Sequence, residues 1–274
     1  MTRIAFIGLG EAASALISGW NFPDPQRITA FDIKQNSAET ASEIERRAAQ
    51  LGVSLAYTPA DAVTEADLVF STVTADQAMK AAESVAGKLP QGAYFCDLNS
   101  CAPSSKRLSA ARIEKGGARY VDVAVMAPVH PKRNMVPLLV SGPHAAAVAP
   151  LLEALPMSPS VVAGDIGAAS SIKMIRSVFV KGLEALTAEF ILAAVAADVV
   201  DDVMPSLSIS HPGTDWDART AYNLERVMTH GRRRAAEMDE VAKTLQDLGL
   251  PDDVTAATVR WQNRIAELQL TGPE

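Results

Sequence analysis

Apolar residues come in short, nearly continuous runs through the first half of the chain. The runs Arg3–Ile7, Arg27–Phe31, Leu68–Thr72, Ala93–Leu98, Tyr120–Val125, Leu138–Val140 and Val161–Ala163 predict strands. Near-continuous apolarity is what parallel strands covered on both faces require. Between them, Glu11–Trp20, Ser37–Leu51, Asp76–Ala86 and Pro103–Lys115 have helical periodicity. Strand and helix alternate within about 30 residues, the spacing of right-handed βαβ units. The first half therefore predicts a doubly wound, Rossmann-like α/β domain.

Past Gly164 the strand signals stop. The stretch from Asp165 to about Ala197 reads as one long helix rich in Ala, Leu, Ile and Val. A region with Pro, Ser and Asp, Met204–Trp216, interrupts the pattern. Helical spacing returns over Arg219–Leu248, stops at Gly249 and Pro251, and resumes over Asp253–Leu268. We expect two domains, residues 1–164 (Rossmann-like) and 165–274 (all-α). The apolar content of the long helix predicts a homodimer through the C-terminal helices.

Composition narrows the function. Lys and Arg total 25 against 32 Asp and Glu, a net charge of -7. That excludes general nucleic-acid or membrane-surface binding, which needs a basic face. The apolar run Phe190–Val200 is broken by Asp198 and too short to span a bilayer. The opening MTRIAFIGLG runs into a glycine turn, unlike a secretory leader. Cys96 and Cys101 lie too close together to constrain a fold, so a reducing, cytoplasmic setting is expected. Cys96 reads as core and Cys101 as at most a pocket wall. The four histidines are too scattered to suggest a metal site.

The first turn carries the clearest chemistry. Gly8-Leu9-Gly10-Glu11-Ala12-Ala13 is G-x-G-x-x-A between a strand and a helix. Gly8 permits the tight turn, Gly10 lets backbone approach a pyrophosphate, and Ala13 allows close packing of helix on strand. Asp32 closes the next strand, placed to accept hydrogen bonds from ribose hydroxyls and to repel a 2′-phosphate. NAD is therefore expected in preference to NADP, although Lys34 stands nearby. Thr72, Val73 and Thr74 follow another strand, where loops line a cofactor crevice. Thr74 and Asp76 read equally as helix caps, a compatible role.

Three blocks in order resemble the β-hydroxyacid dehydrogenases, which include 3-hydroxyisobutyrate and 6-phosphogluconate dehydrogenases. The family's G-L-G-x-M-G corresponds to Gly8–Ala13. Its D-x-S-T-x-x-P corresponds to Asp97-Leu98-Asn99-Ser100-Cys101-Ala102-Pro103. Its lysine preceded by G-x-x-G corresponds to Lys173 after Gly164 and Gly167. The resemblance implies that Lys173 is the general acid/base and that Asn99, Ser100 and Cys101 lie on the substrate side. The chemistry agrees, because alcohol oxidation needs a group that removes the hydroxyl proton as hydride leaves. A lysine does so when burial or nearby charge lowers its pKa. From its own surroundings alone Lys173 reads more readily as a helix lysine snorkelling from an apolar face, and the order of the motifs reverses that reading.

The departures are informative. The family's Asn four residues after the lysine is Ser177 here, a hydroxyl that can still donate and accept. Its S-G-G segment aligns with Met126-Ala127-Pro128, and Pro128 has no N–H to donate. Lys181 reads as a second functional lysine or a solvated one. His230, Arg233 and Arg234 are three and four apart, which places them on one helix face that could bind the anionic end of a substrate. The alternative is ion pairing with Glu225, Glu237 or Asp239. The variant set is similar to a bacterial subgroup described only as 6-phosphogluconate-dehydrogenase-like.

The leading expectation is an NAD-dependent oxidoreductase acting on the β-hydroxyl of a small anionic hydroxy acid. The alternatives are an imine reductase on the same scaffold, which Lys173 counts against, and a non-catalytic dinucleotide sensor. A short-chain dehydrogenase would need Tyr four residues before the lysine, where this chain has Ala169.

Overall fold

A computed structural model describes residues 2–20 and 27–267. The chain divides into two compact units, Met1–Lys173 and Met174–Glu274.

The first unit is built on one eight-stranded sheet. Its strands are β1 (Ile4–Ile7), β2 (Ile28–Phe31), β3 (Ser54–Leu55), β4 (Leu68–Ser71), β5 (Tyr94–Asp97), β6 (Arg119–Val125), β7 (Pro137–Ser141) and β8 (Ser158–Val161). The order across the sheet is β3-β2-β1-β4-β5-β6-β7-β8. Every neighbouring pair is parallel except β6 and β7, which run antiparallel. Six helices accompany it: α1 (Glu11–Trp20), α2 (Ala41–Leu51), α3 (Pro59–Val63), α4 (Ala78–Val85), α5 (Pro103–Lys115) and α6 (Ala145–Ala154). Alternate residues along each strand enter two separate cores. Phe6, Phe70 and Cys96 join one, and Ala5, Val69 and Phe95 join the other. A sheet buried on both faces explains the continuous apolar runs.

Helices α7 (Ala168–Ala196), α8 (Val200–Ser210), α9 (Trp216–Asp247) and α10 (Asp253–Glu267) complete the chain. The first turn of α7 belongs to the first unit. Its backbone is tied to strand side chains, with Gly167 N and Ser170 N on Asp122 and Ala169 N on Ser141 Oγ. The division therefore falls nine residues beyond Gly164, where the strand signals end.

Several elements differ from expectation. The interruption expected over Met204–Trp216 is shorter: α8 runs to Ser210 with Pro205 inside it, and residues 211–215 separate it from the next helix. Asp201 and Asp202 favour its first turn, and Pro205 removes a single backbone bond. The strand expected at Val161–Ala163 is Ser158–Val161, an edge strand whose Pro159 disguises it. Helix α3 went unpredicted despite a clear signal, because Thr58 and Asp61 cap each other across Pro59 at its first position. Helix α6 and the two-residue β3 were also unpredicted. The expected end of the last helix, Leu268, lies outside the described residues.

Candidate functional site

The carboxyl ends of β1, β4 and β5 lie side by side, and the loops leaving them carry most of the predicted residues. After β1, Gly8 takes φ +94°, and its N–H donates to the Phe31 carbonyl at 2.8 Å. A Cβ there would stand 2.7 Å from the Thr72 carbonyl oxygen and 2.9 Å from Val73 Cγ1, so both conformation and space demand glycine. Gly10 is different: a Cβ there would meet nothing within 4 Å. The backbone at Gly10 is open, and the first-turn amides of α1 have no intrahelical acceptors. This is the arrangement that receives phosphate. Ala13 is fully buried against the sheet, as its small size allows. Glu11 opens α1 with an exposed side chain, so its backbone N–H is what it can offer an anion.

Asp32 ends β2 beside this turn. One carboxylate oxygen accepts from Leu9 N at 2.8 Å and the other from Lys34 N at 3.0 Å. These two bonds fix its orientation and leave lone pairs for ribose hydroxyls. Arg47 NH1 donates to the Leu9 carbonyl at 2.8 Å, holding the turn from α2. Thr72 Oγ1 donates to the Gly8 carbonyl at 2.8 Å, which joins the loop after β4 to the glycine turn. Thr74 precedes a short 3-10 turn without capping it through its side chain. Glycine turn, amides and carboxylate together fit a dinucleotide, with the pyrophosphate at the start of α1 and a ribose on Asp32.

The loop after β5 continues the same edge. Asn99 is buried, and its Nδ2 donates both to Ser71 Oγ at 2.9 Å and to Asp97 Oδ1 at 2.8 Å. Its Oδ1 has no hydrogen-bond partner. Next to it, Ser100 Oγ accepts from Lys173 Nζ at 2.7 Å. Lys173 is half-buried. Two residues 73 apart in sequence are thus joined, and a linked path runs Gly8–Thr72–Ser71–Asn99–Ser100–Lys173. Cys101 is buried, with its sulfur 3.5 Å from the Ala75 carbonyl, and Cys96 is wholly in the core with its thiol pushed up by burial.

A buried polar cluster that the sequence reading passed over lies among these loops. Lys106 on α5 is completely buried. Its Nζ donates to the Asp97 carbonyl at 2.7 Å and lies 3.0 Å from Asp97 Oδ1 and 3.6 Å from Asp122 Oδ1. Tyr120 donates its hydroxyl to Asp97 Oδ2 at 2.6 Å. Burial pulls the Lys106 ammonium down, but the two carboxylates outweigh it and its pKa stands above the ordinary lysine value. Burial, then the Asp97 charge, pushes Tyr120 well up. Asp97 and Asp122, one ending an apolar run and one inside another, were the available signal.

The second unit holds the other predicted residues. Ser177, four residues after Lys173, is buried on α7. The basic run on α9 is divided. Arg234 turns inward and is buried in an ion pair with Glu184 of α7. His230 and the exposed Arg233 line an open groove of about 320 Å³ formed by residues 228–233 and Ala266. The partner of Arg234 is therefore none of those weighed from spacing, but a glutamate 50 residues away. Lys181 is not solvated: it is buried, and its Nζ lies 2.5 Å from Glu237 Oε2. Burial there exceeds the help of Glu237 and lowers the Lys181 pKa. Asn223 Nδ2 donates to Thr187 Oγ1 at 2.9 Å, so α7 meets α9 along a polar seam.

Known proteins share the fold. Residues 194–265 match a domain of unknown function, DUF1932. A conserved hypothetical protein from Sinorhizobium meliloti is 38% identical, with TM-score 0.75, over 97% of this chain and 89% of its own. An uncharacterized 28.5 kDa protein from Methanothermus fervidus is 29% identical over 97% of this chain and 99% of its own. The 3-hydroxyisobutyrate dehydrogenase of Mycobacterium tuberculosis, solved with L-serine, shares the fold. Its TM-score is 0.74 at 18% identity, over 97% of this chain and 94% of that one. Residues 3–164 match the NAD binding domain of 6-phosphogluconate dehydrogenase, and the chain belongs to that family of dinucleotide-binding, 3-hydroxyacid dehydrogenase-like proteins.

Proposed function

We propose that this protein is an NAD(P)-dependent dehydrogenase that oxidises the β-hydroxyl of a small hydroxy acid, with Lys173 as general acid/base. The observation that carries the reading is the Lys173 Nζ–Ser100 Oγ contact of 2.7 Å, on the sheet edge that also holds the glycine turn. The bound dinucleotide supplies the hydride acceptor. Neutral Lys173 takes the hydroxyl proton as the C–H bond breaks, and its ammonium returns that proton in the reverse reduction. Ser100 Oγ holds the amine in place and leaves its own hydrogen free to reach a substrate oxygen. Asn99 is buried with both amide hydrogens taken by Ser71 and Asp97, so its part is to hold the loop that carries Ser100.

Asp32 supports NAD as the preferred cofactor, because a 2′-phosphate would meet its carboxylate. In the second unit, His230 and Arg233 are proposed to hold an anionic group, while Arg234 is committed to Glu184. The outer face of α7 favours a homodimer: Ile175, Phe179 and Leu186 are 45%, 71% and 62% exposed on one stripe.

The test is reduced-cofactor formation against a panel of 3-hydroxy acids and sugar acids, with NAD and NADP in parallel and Lys173→Ala alongside. Turnover on one class, reduced about 10²- to 10⁴-fold in the variant with dinucleotide binding intact, is expected. Equal activity of the two proteins would remove Lys173 from the mechanism. Reduction of imines but of no keto acid would favour the imine-reductase alternative.

A further inference from the structure

We propose that Lys106, Asp97 and Asp122 form a buried positioning device that sets Ser100 and Lys173 against each other; the inference rests on the role given to Lys173 above. The two partners come from separate elements. Ser100 sits in the loop after β5, and Lys173 is on α7. Each element is held by one of the two aspartates.

Asp97 governs the loop. Its Oδ1 accepts from Asn99 N at 3.0 Å and from Asn99 Nδ2 at 2.8 Å, which fixes the residue before Ser100 through backbone and side chain together. Asp122 governs the helix. Its Oδ2 accepts from Gly167 N at 3.0 Å, Ser170 N at 3.1 Å and Ser141 Oγ at 3.0 Å, and its Oδ1 accepts from Ser170 Oγ at 2.5 Å. A carboxylate at a helix N-terminus satisfies amides that lack intrahelical acceptors. Here it also fixes where the helix begins, through Gly167 and through Ser170, three residues before Lys173. Lys106 joins the two, with Nζ 3.0 Å from Asp97 Oδ1 and 3.6 Å from Asp122 Oδ1. The same helix reaches α7 by packing: a Cβ on Gly167 would lie 2.9 Å from Pro103 Cβ, so the starts of α5 and α7 touch where only glycine fits.

A core designed only for stability would be cheaper without these charges, since isosteric apolar replacements of buried ion pairs are often neutral or stabilising. What the cluster adds is directional. Each carboxylate oxygen points a loop or a helix end, and a single ammonium spaces the two carboxylates.

The device is tested by competitive acetylation with acetic anhydride at neutral pH, reading Lys173 against the exposed Lys88 by peptide mass spectrometry. Asp122→Asn is the first variant, because it leaves the Lys106–Asp97 pair electrically balanced. Lys106→Met is the second. The Lys173 to Lys88 ratio should rise about five-fold in each variant that retains a cooperative melt, the scale of one lost hydrogen bond. Dinucleotide affinity should hold within about two-fold, since Gly8 and Gly10 lie in the turn between β1 and α1 and Asp32 just follows β2, and kcat rather than KM should fall. Ser170→Ala, which removes one bond to Asp122, should give a smaller rise of the same sign. A lowered melting temperature with an unchanged acetylation ratio in folded Asp122→Asn would overturn the proposal. If the wild type oxidises no hydroxy acid yet Asp122→Asn still releases Lys173, the dehydrogenase reading fails and the positioning device stands.

Discussion

Replacing Arg234 with methionine gives a prediction whose size can be worked out. The Arg234 and Glu184 side chains are 8% and 3% exposed. Methionine keeps most of the arginine stem, so the change chiefly strands the Glu184 carboxylate. Burial already pushes that group's pKa up, and the Arg234 guanidinium is the main influence pulling it back. Stranded, the carboxylate avoids the cost of buried charge by taking a proton. At pH 7 that costs about 3.4 kcal/mol, roughly 1.36 kcal/mol for each pH unit above its ordinary value of 4.5. This ceiling falls within the range of about 3–5 kcal/mol seen when one partner of a buried pair is removed. It also imposes a sign. A carboxyl whose folded pKa is raised loses stability as pH climbs above its unfolded value. The penalty of Arg234→Met should therefore shrink to under about 1 kcal/mol at pH 5. Urea titrations at the two pH values read it directly. The double variant Arg234→Met with Glu184→Leu should recover most of the loss at both. A single-variant penalty below about 1 kcal/mol at pH 7, or one that does not change with pH, would refute the account. The double variant also separates structure from substrate binding, because it should leave KM unchanged if Arg234 serves only Glu184.

Further outcomes follow from the same structure. Gly8→Ala should weaken dinucleotide binding at least about ten-fold by fluorescence titration, since an alanine at φ +94° carries strain of about 1–2 kcal/mol before its Cβ meets the Thr72 carbonyl. Lys106 has a raised folded pKa, so its stabilising contribution is complete below 10.5 and disappears as pH rises through the folded value. Tyr120, also raised, ionises at 10.0 only once unfolded and drives the same loss. Alkaline unfolding should therefore set in above pH 10, with the Tyr120 absorbance change appearing only in the unfolding step and Tyr120→Phe moving that step to higher pH. Phe179→Asp with Leu186→Lys should halve the mass found by light scattering if the outer face of α7 is a dimer contact. An unchanged mass would place that contact elsewhere.

Where a residue's role is local, the sequence disclosed it. Pro103–Lys115 is the α5 helix to the residue, and Gly8 has the positive φ that its place in the motif implies. Met204–Trp216 is legible only in part, because its Pro, Ser and Asp content points away from helix while the acidic first turn of α8 carries the helix past Pro205 to Ser210. The buried charges were illegible for a different reason. Lys106, Lys181, Glu184 and Arg234 lie in helices where a charged residue ordinarily marks the solvent face. Each is buried because its counter-charge is elsewhere in the chain: nine residues away for Lys106 and Asp97, 50 for Glu184 and Arg234, 56 for Lys181 and Glu237. No periodicity within one helix encodes such a pairing. The contact between Lys173 and Ser100 has the same character, which is why family motifs pointed to both residues but not to their mutual distance.

Helix α7 sets ion pairs into its buried face among apolar contacts, and the mixture bears on function. Along its second-unit portion, Lys181, Glu184 and Thr187 face α9, while Ile175, Phe179 and Leu186 face out. If stability alone had selected this sequence, apolar residues of similar volume at 181 and 184 would serve as well, because apolar contact between α7 and α9 avoids charge desolvation. Two requirements together account for the pattern. A directional seam of ion pairs fixes the rotation of α7 about its axis more sharply than apolar contacts, which tolerate sliding. An apolar outer stripe is stable in water only if something covers it for part of the time. Asp122 holds the first turn of α7 in the first unit, and α9 holds the rotation of its later turns in the second. Under the proposed dehydrogenase reading, Lys173 stands near the end of α7 where a fixed position matters to the chemistry.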